Sequence, residues 1–189
     1  MSHSFPGFNS PAVGFEDPQA MLSACHDRVQ RSLDLLGRLV EHVDLHGHDA
    51  SSRSAAADVL RYFTLAAPLH HQDEELHLFP LLLAHGSAAL VAQVERLQHD
   101  HAQMESLWRG IEPALRAWSS GVTTPLTSPQ RDAIQVFRAL YPPHIALEES
   151  SVFPQAFALL GPQASSDAGR EMQSRRGVGH NAGLDKDRV

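Results

Sequence analysis

An internal repeat is the feature of this sequence that most restricts its fold. The first copy reads HHQDEELHLFP at residues 70–80, and the second reads HIALEESSVFP at residues 144–154. Both copies share the pattern HxxxEExxxFP. One more histidine precedes each copy at nearly the same spacing, His26 before the first and His101 before the second. The two halves of the chain are therefore predicted to be helix pairs of one design.

Apolar periodicity and capping signals place both copies on long helices. Aromatic residues make up only 6% of the chain, and helix-favouring residues are abundant. The first helix is predicted to begin at Asp17-Pro18 and end at the loop 46–49; the second to run from Ser51 or Ser52 to His85-Gly86; the third from Ser87 to 119–121; and the fourth from Ser128-Pro129 to Gly161-Pro162. Four long helices with short connections predict an all-α fold, an antiparallel up-down-up-down four-helix bundle.

The bundle is predicted to occupy residues 17–161 as one domain. Residues 1–16 hold Phe5, Phe8, Val13 and Phe15 among prolines and glycines, so we expect an extended N-terminal arm that lies against the bundle. Residues 162–189 are rich in glycine, serine and alternating charge, and they are predicted to form a flexible C-terminal tail.

Charge and hydropathy exclude several classes of partner. The formal net charge is -7, with acidic and basic residues interspersed, so no basic stripe is available for nucleic acid. No apolar run approaches the roughly 20 residues of a membrane span, and the N-terminus does not resemble a signal peptide. A single cysteine, Cys25, excludes an intramolecular disulfide framework. We expect a cytoplasmic protein without a nucleic-acid or membrane partner.

The repeat supplies side chains suited to binding metal. Residues four apart on a helix share one face, with Cβ atoms about 5–6 Å apart, so His70 with Glu74 and His144 with Glu148 each form a chelating pair. His26 and His101 interrupt apolar seams and should also face the core. Imidazole suits iron, and carboxylates can bridge two cations. The candidate metal ligands are His26, His70, Glu74, His101, His144 and Glu148.

Some alternatives remain open at this point. His71 and Glu75 have the same spacing as His70 and Glu74, so the ligand pair of the second helix could be shifted by one residue. A His-Glu network without metal is a structural alternative, although unpaired carboxylates in a bundle core are costly. Five other histidines are expected to be solvated or turned elsewhere: His42, His46, His48, His85 and His99. Prolines just before both copies, Pro68 and Pro142-Pro143, should bend their helices.

The doubled HxxxEExxxFP pattern with its upstream histidines resembles the hemerythrin HHE cation-binding domains over roughly residues 18–160. The resemblance implies that the six candidate ligands hold two non-heme iron ions joined by an oxo or hydroxo bridge, with Glu74 and Glu148 bridging. Oxygen-carrying hemerythrins have a fifth histidine one turn after the third-helix ligand, whereas this chain has Glu105 there. The iron pair would therefore have more open positions, unless Glu105 coordinates.

The resemblance implies a di-iron protein that binds O2 or NO, or that responds to iron or oxidants. No catalytic residue is predicted, and a binding role is preferred over an enzymatic one. The alternatives are a di-iron oxidoreductase that reduces peroxide or performs oxidase chemistry, and a structural bundle that holds zinc or another metal. A sensor built this way would signal through a separate partner protein, which the sequence does not identify.

Overall fold

The computed structural model describes residues 14–177, which form an all-α bundle. Its helices are α1 (Pro18–His46), α2 (Ala50–Arg61), α3 (Ala67–His77), α4 (Phe79–His85), α5 (Ala88–Ser119), α6 (Ser128–Leu147) and α7 (Phe153–Arg175). Helices α2 to α4 follow one another as the second rod, and α6 continues into α7 as the fourth. The predicted four-helix bundle is confirmed. Within 14–177 no helix is both long enough and apolar enough to cross a bilayer.

The helix starts follow the capping chemistry of the sequence, with two shifts. Asp17 caps α1 as predicted, since its side chain accepts a hydrogen bond from the backbone N–H of Ala20 at 3.0 Å. Helix α2 is capped by Asp49 instead of a serine, because Asp49 and Ser52 form a reciprocal capping box. Helix α6 is likewise capped by Thr127, one residue earlier than expected.

Two π-helical turns, Tyr62–Ala66 and Glu148–Val152, widen the second and fourth rods. In the first, the N–H of Ala67 donates to the carbonyl of Tyr62; in the second, the N–H of Phe153 donates to the carbonyl of Glu148. Such a turn inserts one extra residue and rotates the side chains that follow it. The first turn ends shortly before His70, and the second begins at Glu148. Both distortions thus lie beside the repeated motif.

The apolar interior is divided into two clusters with the motif histidines between them. One cluster contains Val29, Met104 and Tyr141, and the other contains Leu22, Leu97 and Val152. On α1 and on α5 the buried histidine lies at the boundary where one cluster gives way to the other. The polar site is therefore enclosed at both ends by close-packed side chains that exclude water.

The C-terminal segment corrects the prediction of a flexible tail from residue 162. Gly161 breaks α7 at a φ of 70°, and the chain then continues as helix to Arg175. Ala168 and Met172, four residues apart, are buried against the bundle. This stripe is too short to stand out among the polar residues around it. Residues 178–189 lie outside the described part of the chain.

The predicted N-terminal arm is described only in its last residues. Residues 1–13 lie outside the described part. Phe15 packs beside the second apolar cluster, and its ring centroid lies 5.4 Å from the guanidinium carbon of Arg176. The end of the arm and the C-terminal helix therefore contact each other on the surface of the bundle.

Candidate metal centre

All of the predicted ligands meet in the middle of the bundle. Each of the four rods contributes at least one: His26 from α1, His70 and Glu74 from α3, His101 from α5, and His144 and Glu148 from the fourth rod. No side chain in the set is more than 5% exposed. Two carboxylates and four imidazoles thus share one interior space, as the repeat predicts.

These side chains form two groups that share both glutamates. The first group is His26, His70, Glu74 and Glu148, and the second is His101, His144, Glu74 and Glu148. Within each group the potential ligand atoms lie within 4.8 Å of one another. A cluster in which two carboxylates belong to both groups has the composition of a dinuclear site with bridging carboxylates.

Each glutamate directs one oxygen to each histidine pair. The two oxygens of Glu148 lie 3.1 Å from Nε2 of His26 and 2.9 Å from Nε2 of His144. The oxygens of Glu74 lie 3.1 Å from Nε2 of His70 and 3.3 Å from Nε2 of His101. Two donors at right angles on one cation, with bonds of about 2.1 Å, are about 3 Å apart. Each of the four oxygen-to-Nε2 distances is therefore suitable for two atoms that bind the same cation.

The donor atoms have no other role in the described structure. All four oxygens of Glu74 and Glu148, and Nε2 of His26, His101 and His144, are buried without a well-formed hydrogen bond among residues 14–177. An unsatisfied buried polar group costs about 1–3 kcal/mol, and more when it is charged. A cation between the two pairs satisfies these atoms together, so the residues present fit a metal pair.

Comparison with known proteins agrees with this geometry. Residues 17–156 match the hemerythrin HHE cation binding domain. The chain belongs to this family. It is also 30% identical over 164 residues to a protein of Haemophilus influenzae described as an uncharacterized protein, across 87% of this chain and 92% of that one. With its buried His/Glu cluster, the chain is a metal-binding hemerythrin-like protein.

His71, which the sequence left open as an alternative ligand of this hemerythrin HHE domain, lies at the site together with the predicted ligands. It forms a third group with His101 and His144, whose ligand atoms also lie within 4.8 Å of one another. Its ring stacks on that of His101, with centroids 3.9 Å apart and planes at 10°. The second copy of the motif has Ile145 at the equivalent position. This difference between the copies was the available signal.

The other open alternatives are decided by exposure and pairing. Glu105 is exposed, binds Arg109 at 2.9 Å and belongs to none of the described groups of potential ligand atoms. His42 pairs with Asp49 at 3.1 Å, near the loop between α1 and α2. His70 belongs to the first group and Glu74 to both groups, which supports the original register of the second helix. Glu75 contacts the site through His101.

In the absence of metal, ion pairs between the ligands shift their pKa values. Burial lowers the pKa of His26, but the close contact with the charged carboxylate of Glu148 outweighs burial and raises the pKa to about 9. Burial also acts to lower the pKa of His101, but its contact with the Glu74 carboxylate and its hydrogen bond to Glu75 raise the pKa to about 9. Burial acts to raise the pKa of Glu148, yet its histidine partners hold it well below the usual range. Protonated imidazoles thus take the place of cations.

Two histidines are instead held neutral. Burial, followed by the charge of His26, holds the pKa of His70 well below its usual value. Burial and the charge of His101 do the same for His71. Burial and the charge of Glu148 raise the pKa of Glu74 to about 7. The neutral imidazole is the form that coordinates a metal, so these two side chains need lose no proton when an ion binds.

We predict that the metal-free protein loses stability as the pH rises from about 6.5 to 9. His26 and His101 have folded-state pKa values of about 9, above the ordinary 6.5 of the unfolded chain. A histidine whose pKa is raised in the folded state stabilises the fold fully at pH values below its pKa in the unfolded chain. This contribution is lost as the pH rises through its pKa in the folded state. The loss is on the order of a few kcal/mol. The pKa of Glu74 is also raised, from 4.5 to about 7, so its contribution to stability is likewise lost as the pH rises, but over this lower range.

Urea unfolding of metal-free and metal-loaded protein at pH 6.5 and pH 9 measures this effect. Metal binding requires the unprotonated imidazoles, so the loaded protein should gain metal affinity over the same range. A metal-free protein that is equally stable or more stable at pH 9 would contradict the assigned ion pairs.

Proposed function

We propose that this domain holds two non-heme iron ions and binds a diatomic ligand, O2 or NO, at one of them. His26 and His70 hold the first ion; His71, His101 and His144 hold the second; Glu74 and Glu148 bridge the two. Iron bound here supplies a redox-active centre with open positions for a small ligand.

One observation carries this proposal: each buried carboxylate directs its two oxygens to imidazoles of different groups. A mononuclear site would leave half of these oxygens unused. Nitrogen and oxygen donors without a thiolate favour iron over the softer metals that cysteine-rich sites select. A structural zinc site is closed by four ligands of its own, which bridging carboxylates do not provide.

The proposed ions are unequal because the two copies of the motif differ at the position after the first histidine, which is His71 in one copy and Ile145 in the other. With His71, the second ion has three imidazoles and two carboxylate oxygens, whereas the first has two imidazoles and two carboxylate oxygens. The first ion therefore keeps more open positions. These open positions support binding of the small ligand at the first ion.

Anaerobic loading with Fe(II) tests the proposal. We expect two iron ions per chain, followed by a new visible absorption band when the loaded protein meets O2 and a separate nitrosyl spectrum when it meets NO. One NO per chain should bind, at the first ion. A stoichiometry of one iron, or spectra that neither gas changes, would contradict the proposed function.

Replacement of His71 by alanine tests the inequality of the ions. We expect chelator competition to show an affinity at least about tenfold lower for one ion, with the other unchanged, because one imidazole donor is lost. In excess iron, two NO molecules per chain should bind instead of one, since both ions then have four protein donors. Ile145→Ala, at the equivalent place in the second copy, is the matched control. If His71→Ala behaves like this control, His71 is not a ligand.

A further inference from the structure

The second glutamate of each HxxxEExxxFP copy contacts a histidine of the opposite half. Oε1 of Glu75 lies 2.8 Å from Nδ1 of His101, and Oε1 of Glu149 lies 2.6 Å from Nδ1 of His26. In both cases Nε2 of the same imidazole faces a glutamate of the metal centre. In each copy, the first glutamate therefore contacts Nε2 and the second glutamate contacts Nδ1 of the same imidazole.

The phenylalanine of each copy contacts the same histidine. Phe79 stacks on His101 with centroids 5.7 Å apart and planes at 23°, and Phe153 stacks on His26 at 5.3 Å and 14°. Both phenylalanines are fully buried. Each upstream imidazole is thus held along its edge by a carboxylate and on one face by an aromatic ring.

The spacing of the motif explains how one segment performs both tasks. Glu75 and Phe79 are four residues apart, as are Glu149 and Phe153, and both members of each pair contact one histidine, so each pair lies on one side of its rod. This side is displaced by one residue from the side of the ligand pair, a step of about 100° in a regular α-helix such as α3. HxxxEExxxFP therefore contains two pairs of residues. Its histidine and first glutamate form the candidate ligand pair, and its second glutamate and phenylalanine contact a histidine on the other side of the bundle.

We propose that Glu75 with Phe79, and Glu149 with Phe153, are positioning residues that form two crossed histidine clamps. Each carboxylate accepts the Nδ1–H of the clamped imidazole, which leaves Nε2 free to coordinate, and each phenylalanine fixes the plane of the ring. The inference rests on the proposed metal centre and deepens it. A carboxylate on the outer nitrogen also makes the coordinating nitrogen more basic and strengthens metal binding.

The clamps serve the two histidines that need them most. His70 and His144 share a helix with a ligating glutamate four residues away, so their own helix orients them. His26 and His101 stand on α1 and α5 without such a partner. The clamps cross between the halves: the first copy holds His101 and the second holds His26. Each half therefore completes the metal site of the other.

Alanine at Glu75 and Glu149, both partly exposed, tests the clamps with little risk to folding. Glu75→Ala is expected to lower the affinity of only the ion at His101, and Glu149→Ala that of only the ion at His26, each by about 10–100-fold. Glutamine at either position keeps an acceptor oxygen and should restore most of the affinity. Glu105→Ala, an exposed carboxylate one turn after His101, is the matched control and should bind both ions normally.

Histidine N–H signals in NMR spectra give a readout that a structural role would not produce. In cobalt-loaded protein, Glu75→Ala should lose the slowly exchanging Nδ1–H signal of His101 and keep that of His26, and Glu149→Ala should do the reverse. Phe79→Leu should keep both signals and weaken only the ion at His101. If both signals and both affinities survive the two alanine substitutions, the clamps are wrong while the two-ion centre stands.

The same spectra of metal-free protein separate this inference from the proposed function. The hydrogen bonds to Glu75 and Glu149 do not require an ion, so selective loss of each N–H signal supports the clamps whatever the wild-type metal content. Persistence of both signals overturns them. Failure of the wild-type protein to bind two ions would instead refute the proposed metal centre.

Discussion

Glu148→Ala is expected to reduce bound iron from two ions per chain to less than one. The oxygens of Glu148 lie within 3.1 Å of Nε2 of both His26 and His144, so this substitution removes a donor from each proposed ion. Loss of a bridging ligand should exceed the roughly 10–100-fold loss of affinity that follows removal of an outer-shell partner. Metal analysis after anaerobic loading, together with chelator competition, measures the effect.

The iron content of other variants shows whether Glu148 bridges both ions or binds only one. His144→Ala removes a donor from the second ion alone, so its iron content should approach one per chain. His42→Ala should keep two, because His42 pairs with Asp49 near a loop. Circular dichroism of each metal-free variant checks that the bundle has folded. Two tightly held ions in Glu148→Ala would show that this carboxylate does not bridge.

The double variant Arg175→Ala/Arg176→Ala is expected to lower the free energy of unfolding by about 3–5 kcal/mol, the usual effect of breaking a buried ion pair. Asp73 on α3 is completely buried, and it accepts hydrogen bonds from Arg175 at 2.5 Å and from Arg176 at 2.5 and 3.1 Å. Without these partners its charge remains in the interior uncompensated. Urea unfolding of the metal-free protein measures the change directly.

Arg170→Ala is the control for this second effect. Arg170 is on the same C-terminal helix but pairs with Asp167 at the surface, where an ion pair contributes about 0–1 kcal/mol. A double variant that is no less stable than this control would show that the C-terminal helix does not hold α3. Because Asp73 directly precedes Glu74, iron loading of the double variant also reports whether the C-terminal helix supports the metal site.

A small difference between the repeated halves has large consequences for the site. The copies agree at the ligand histidine, both glutamates and the phenylalanine. At the position after the ligand histidine, the first copy has His71 and the second has Ile145. A perfectly symmetric duplication would give two equal ions. The added imidazole gives the proposed second ion one more donor and leaves the first more open to a small ligand.

The sequence by itself determined the helices, the bundle and the six candidate ligands. Helix periodicity and caps are local properties, so Asp17 and the proline-led starts could be recognised without coordinates. The ligand pairs His70–Glu74 and His144–Glu148 follow from the fixed rise of a helix. The repeat added His26 and His101, because equivalent positions in two copies occupy equivalent places in the fold.

Only the tertiary structure decided which side chains of different helices meet. The contacts of Glu75 with His101, of Glu149 with His26 and of Asp73 with the C-terminal arginines join residues far apart in the chain, and no local pattern encodes them. The proximity of His71 to His101 depends in the same way on how α3 packs against α5. Burial of the C-terminal helix was missed because a few apolar side chains become decisive only when a complementary surface lies beneath them.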